Sequence, residues 1–137
     1  MSASDLIMKE TLESLRESIE SEGGVVPELT AANTREVFEQ FEAGEFRDWI
    51  QDAKSEFRES GEDTEIPCDW SKNYESKSVA RQMSSGEWVG WTYWYGGGKF
   101  GVPEAIDWIS DAYLLGVTEE EKTVIVRTFT KLDQCEV

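Results

Sequence analysis

The sequence predicts an α+β fold in which about three N-terminal helices pack on a C-terminal antiparallel sheet of about four strands. Three observations predict it. Apolar residues recur at helical spacing through residues 5–60, and the period falls to two from Ser78 onward. The β-favouring aromatics gather in the second half, above all at Trp88–Tyr95. With 137 residues, 39% of them hydrophobic, the chain has the material for one domain, residues 1–137. Within it, residues 1–65 form an acidic helical half and residues 66–137 an aromatic strand half.

The first helix is expected over Asp5 to Glu22, where Met8, Leu12, Leu15 and Ile19 make one face and glutamates the rest. Gly23-Gly24 stops it. Asn33 and Glu36 have the spacing of a capping box ahead of Val37, Phe38 and Phe41. Gly44 interrupts this second helix. A third, about Glu45 to Glu59, puts Phe46, Trp49, Ile50, Ala53 and Phe57 on one stripe before Gly61.

Val79, Arg81 and Met83 alternate with Ala80 and Gln82 as in a strand, and Ser84-Ser85-Gly86 supplies a hairpin loop into Glu87–Tyr95. Gly96-Gly97-Gly98 breaks that run, and Pro103 to Trp108 reads as one helical turn. Ala112 to Val117 and Thr123 to Thr130 complete the pattern as a second hairpin around Thr118–Lys122.

Charge bounds the function. The chain carries 29 acids against 13 bases, net −16. Residues 1–65 hold 18 acids and 6 bases, net −12, whereas residues 66–137 hold 11 and 7, net −4. Binding to a phosphate backbone requires Lys and Arg to displace counterions, so direct nucleic-acid binding is disfavoured, as is an anionic membrane surface. A protein with a basic surface is the partner this charge attracts. The start of the sequence shows neither a basic segment nor an apolar one, and Cys68 and Cys135 have no paired spacing; both point to a cytoplasmic setting.

Catalytic signals are sparse. The absence of His excludes Ser-His-Asp and Cys-His arrangements and His-held metals, and no cofactor is implied. Gly96–Gly101 lacks the order of a phosphate loop, because Phe100 stands where a hydroxyl is required. Glu104, Asp107 and Asp111 could align on a helix, but the segment is short and a solvated edge is the better reading.

Two features remain as binding equipment. As a strand, Trp88–Tyr95 sends Val89, Trp91, Tyr93 and Tyr95 to one face and Trp88, Thr92 and Trp94 to the other, more aromatic surface than one core needs. The helices carry Glu13, Glu17, Glu20, Glu39, Glu42, Asp48, Asp52 and Glu56 at solvent positions. The reading is a non-enzymatic interaction domain, with an inhibitor that imitates nucleic-acid charge as its sharper form. The alternative is a small-molecule or carboxylate-based enzymatic domain whose pocket is lined by Trp88, Trp91, Tyr93 and Trp94, with Glu104 or Asp107 as polar groups. A homodimer closed by the aromatic face is a third option.

Overall fold

Ser2 opens the first helix in the computed structural model, which describes residues 1–132. Its hydroxyl accepts the Asp5 amide and the Asp5 carboxylate accepts the Ser2 amide, a reciprocal cap that starts α1 at Ala3 and carries it to Ser21. α2 spans Thr34–Ala43 and α3 Arg47–Arg58. The capping box expected at Asn33 does not form. The Asn33 side chain turns back to the preceding turn, accepting from the Thr30 amide at 2.7 Å and donating to the Glu28 carbonyl at 2.9 Å. That turn offers Asn33 both a donor and an acceptor, and so outcompetes the helix amides.

The sheet is an antiparallel meander of β1 (Glu62–Asp63), β2 (Glu75–Gln82), β3 (Trp88–Tyr95) and β4 (Tyr113–Leu115), in that spatial order. Helices first and a four-stranded antiparallel sheet second is the predicted α+β arrangement. The strands are not all those expected, however. Residues 123–130 have no strand structure, and the fourth strand is instead the acidic pair Glu62–Asp63, opposite Ala80 and Val79. Pro103–Ala105 is a single 3-10 turn with proline at its start. Cys135 lies outside the described residues.

Register decides which aromatics are buried. Val79 faces Trp91 and Arg81 faces Val89 across β2 and β3, and directly opposed residues share a side. On that side Val79, Val89 and Trp91 pack with Ala3, Leu6 and Ile7 of α1, Phe57 of α3 and Trp108. A second core joins the rest of α1 to α2 and α3 through Leu12, Ile19, Phe38, Phe46 and Ile50. Ile109 touches both.

On the outer side of the sheet, Gly90 lies opposite Tyr113. A Cβ on Gly90 would stand 2.5 Å from Tyr113 Cε2, so the tyrosine ring lies flush on the glycine backbone and fills the space a side chain would take. Outer-face cover also comes from the chain after β1: the Thr64 amide donates to the Ser78 carbonyl at 3.0 Å and the Ser76 hydroxyl to the Asp69 carbonyl at 2.7 Å.

Candidate functional site: an acidic interhelical groove

α1 and α3 pack side by side against the hairpin end of β2, and a groove of about 730 Å³ opens between them. Glu10 and Glu13 enter it from α1, Glu56 from α3, and Arg81 from β2; Phe57 and Ala53 supply its apolar wall. The Arg81 guanidinium is held to one side, 4.6 Å from the Phe57 ring centre and donating to the Ser60 hydroxyl at 3.2 Å. Glu10 accepts the Ser84 amide at 2.8 Å, which ties the β2–β3 turn to α1. Three carboxylates from two helices thus line one groove with Arg81, and Glu13 among them is paired with Arg16.

Each helix extends the charge away from the groove. Asp48, Asp52 and Glu56 follow at four-residue steps on α3, all exposed; Glu13, Glu17 and Glu20 do the same at steps of four and three on α1. The two rows differ in how far they are neutralised. Arg16 pairs with Glu13 at 2.8 Å and with Glu20 at 3.5 Å while donating to the Val26 and Pro27 carbonyls, so it anchors the α1–α2 connection as well. Its hydrogen bond pulls the Glu13 carboxyl below the usual glutamate range. Glu42 on α2 pairs with Lys54 at 3.0 Å. Glu17, Glu39, Asp48, Asp52 and Glu56 have no ion pair among the described residues.

The structure distributes the predicted aromatics among several places. Trp91 is 0% exposed, wedged between Phe57 and Trp108, and offers no surface to a partner. Trp88, Tyr93, Trp94 and Tyr95 are half-buried. Tyr93 is boxed in: its ring lies beneath the Arg58 guanidinium and its hydroxyl donates to Glu59 at 2.7 Å. That hydrogen bond, with some burial, pushes the hydroxyl above the ordinary tyrosine range. The pocket proposed from Trp88, Trp91, Tyr93 and Trp94 does not form as one cavity, because Trp88 and Trp91 lie on opposite faces of β3. Glu104 and Asp107 line a separate 220 Å³ pocket beside Lys54, Arg58 and Trp108. Asp107 is committed to its own turn, where the Ser110 hydroxyl and the Ile109 and Ser110 amides hold its carboxyl below the usual range.

An aromatic groove that sequence reasoning missed lies at the opposite end of β2 and β3. Trp70, Tyr74 and Tyr95 surround about 700 Å³ with the loop Gly96–Gly98. All three glycines have positive φ, and Tyr74 packs so closely on Gly97 that a Cβ there would meet its ring at 2.4 Å. Trp70, 84% exposed, stands in a polar stretch with no period to mark it. Glu10 was missed for another reason: only the fold brings Arg81 and Ser84 to its side.

The fold and site together define an α+β protein with an acidic face on its helices. No protein-family model matches the chain, and neither a curated protein nor a solved structure matches it.

Proposed function

We propose that this protein is a non-enzymatic, acidic interaction domain that binds the basic surface of a partner protein through α1 and α3. Its specific role is that of an inhibitor occupying the site where a nucleic-acid-handling partner holds phosphates. The observation that carries this is the convergence of Glu10, Glu13 and Glu56 at one groove, extended by the exposed and unpaired row Asp48, Asp52, Glu56. Carboxylates four apart on a helix rise by about 6 Å per step, a regular array of like charge such as a phosphate backbone offers a basic cleft. Among the described residues no helix is long and apolar enough to cross a membrane, consistent with a partner met in solution.

The test is affinity capture from the native host, followed by mass spectrometry. A basic, nucleic-acid-binding protein should be retained, displaced by added nucleic acid, and lost when Asp48→Asn, Asp52→Asn and Glu56→Gln are combined. Retention that is equal at about 0.05 and 0.5 M salt would sink the proposal, because exposed charge pairs are screened over that range.

The groove at Trp70 favours a second reading, a small-molecule-binding domain. A ligand that quenches tryptophan fluorescence in the parent but not in Trp70→Ala, with no protein captured, would put this reading first.

A further inference from the structure

The helical spacing places Trp49 on the same stripe of α3 as Phe46, Ile50 and Phe57, but the structure separates them. Trp49 is 37% exposed, whereas the other three are at most 9% exposed. The period of 3.6 accounts for this. Trp49 falls at the edge of the buried face, in line with Ala53 and Glu56 at steps of four and three. Ala53 and Glu56 both line the α1–α3 groove, so Trp49 stands one turn beyond it along the α3 wall. Phe46 supports the indole from the core side, with ring centres 5.2 Å apart and planes tilted by 43°.

The charge around this ring is one-sided. Asp52 and Glu56 follow Trp49 by three and seven residues, Asp48 precedes it, and none of the three has an ion pair among the described residues. The nearby cations are turned elsewhere. The helical period sets Arg47 and Lys54 on other sides of α3, and Lys54 is paired with Glu42 at 3.0 Å. Several other rings already carry cations of their own: Arg58 over Tyr93, Lys77 over Tyr95 and Lys99 over Phe100. Among the described residues no cation lies over Trp49. An indole beside unpaired carboxylates attracts a cation through its ring quadrupole and through their charge together.

We propose that Trp49 receives an arginine side chain of the basic partner, its guanidinium lying on the indole while Asp52 or Glu56 accepts from its N–H groups. This rests on the reading of the α1–α3 face as a surface for a basic protein, and adds to that face a residue that determines specificity. Carboxylates alone attract lysine and arginine alike. The ring makes the difference, because a guanidinium is planar and weakly hydrated. It can stack on an aromatic face and still direct N–H groups in its own plane at a carboxylate. A compact, strongly hydrated ammonium surrenders more of its water to reach the same place.

Calorimetric titration of the full chain with nona-arginine and with nona-lysine at low salt tests it, with the tryptophan indole N–H signals followed by NMR in parallel. The parent should bind both peptides, and the Trp49 signal should move further with nona-arginine. Trp49→Leu removes the ring and no charge. Affinity for nona-arginine should then fall by about two- to fivefold, and that for nona-lysine by less than about 1.5-fold. Trp49→Tyr should recover part of the arginine affinity, while Asp52→Asn with Glu56→Gln should weaken both peptides. Circular dichroism and urea unfolding establish that Trp49→Leu is folded, and the NMR shift in the parent gives its answer without that variant. Equal losses for the two peptides overturn the arginine site and leave the acidic face standing, as does a Trp49 signal that is unmoved or moves alike with both. Binding of neither peptide overturns both readings. A loss confined to nona-arginine, with no basic protein captured from the host, supports the arginine site and counts against the inhibitor.

Discussion

Arg58, in the last turn of α3, holds its guanidinium 4.3 Å from the centre of the Tyr93 ring on β3, and joins helix to sheet through a buried cation. It also donates to the Trp94 carbonyl and to Glu59, the latter at 2.9 Å. Arg58→Ala leaves that carbonyl without its donor and strips cover from Tyr93. The expected loss is roughly 2–4 kcal/mol in urea unfolding, combining an orphaned acceptor with lost stem packing. Arg58→Lys should lie between the two, since an ammonium cannot serve two acceptors in one plane while lying over a ring. A loss below about 0.5 kcal/mol for Arg58→Ala would mean this junction contributes nothing beyond an ordinary surface site.

Glu59 and Tyr93 supply a pH signature. The Tyr93 hydroxyl is raised above the ordinary range, chiefly by its hydrogen bond to the Glu59 carboxylate. A raised folded value means that this pair's contribution to stability is complete below the unfolded tyrosine value of about 10 and is lost as pH climbs through the folded one. In Glu59→Gln the Tyr93 titration, followed by NMR at its ring, should move down toward the ordinary tyrosine range. An unmoved titration would show that burial, not the carboxylate, sets its position.

Gly90 and Tyr113 make a packing test. A methyl group on Gly90 would stand 2.5 Å from Tyr113 Cε2 and 3.0 Å from Leu115 Cδ1, so Gly90→Ala must displace the ring and loosen β4. The expected cost is about 1–3 kcal/mol, the usual range for overpacking. In a Tyr113→Ser background most of that cost should vanish, because the clashing ring is gone. Additive costs in the double variant would show that the strain lies in the backbone instead.

Much of this architecture was legible in the sequence, and the failures have a common cause. The helices α1, α2 and α3 announce themselves by a period of 3.6, the end of β2 by a period of two, and β3 by its run of β-favouring aromatics. The hairpin loop at Ser84–Gly86 was legible too, closed by the Met83 amide donating to the Glu87 carbonyl at 2.7 Å. β1 was not legible: Glu62–Asp63 is a strand only because β2 offers it a ladder, and two acids carry no pattern. Thr123–Thr130 shows the converse, a sequence with strand character that finds no partner within its own molecule. For the acidic surface, composition located the charge on the helices but could not say which carboxylates share a groove or which are already paired. Glu13 and Glu20 look free in the sequence, yet both meet Arg16. The aromatic strand reads as one feature, but only Trp91 reaches the core: Tyr93 and Tyr95 share its face and are half-buried, and Trp88 and Trp94, also half-buried, lie on the other.

That difference in pairing leads to a prediction about binding rates. The α3 row Asp48, Asp52 and Glu56 has no ion pair among the described residues, whereas two of the three α1 carboxylates share Arg16. Neutralising the α3 row removes three charges that act fully at a distance. Neutralising Glu13, Glu17 and Glu20 removes three as well, but releases Arg16, and part of that field was already cancelled nearby. Toward a basic partner at low salt, the α3 variant should lower the association rate by on the order of tenfold, with a much smaller change in dissociation. The α1 variant should lower it less and should also be the less stable of the two, because Arg16 loses its partners beside the α1–α2 connection. The α3 variant should unfold within about 0.5 kcal/mol of the parent, as exposed substitutions do. Surface plasmon resonance across a salt series measures the rates, and urea unfolding measures the stabilities. Equal losses in association rate from the two rows would mean that Arg16 leaves Glu13 and Glu20 when the partner arrives, and that the whole acidic face acts as one field.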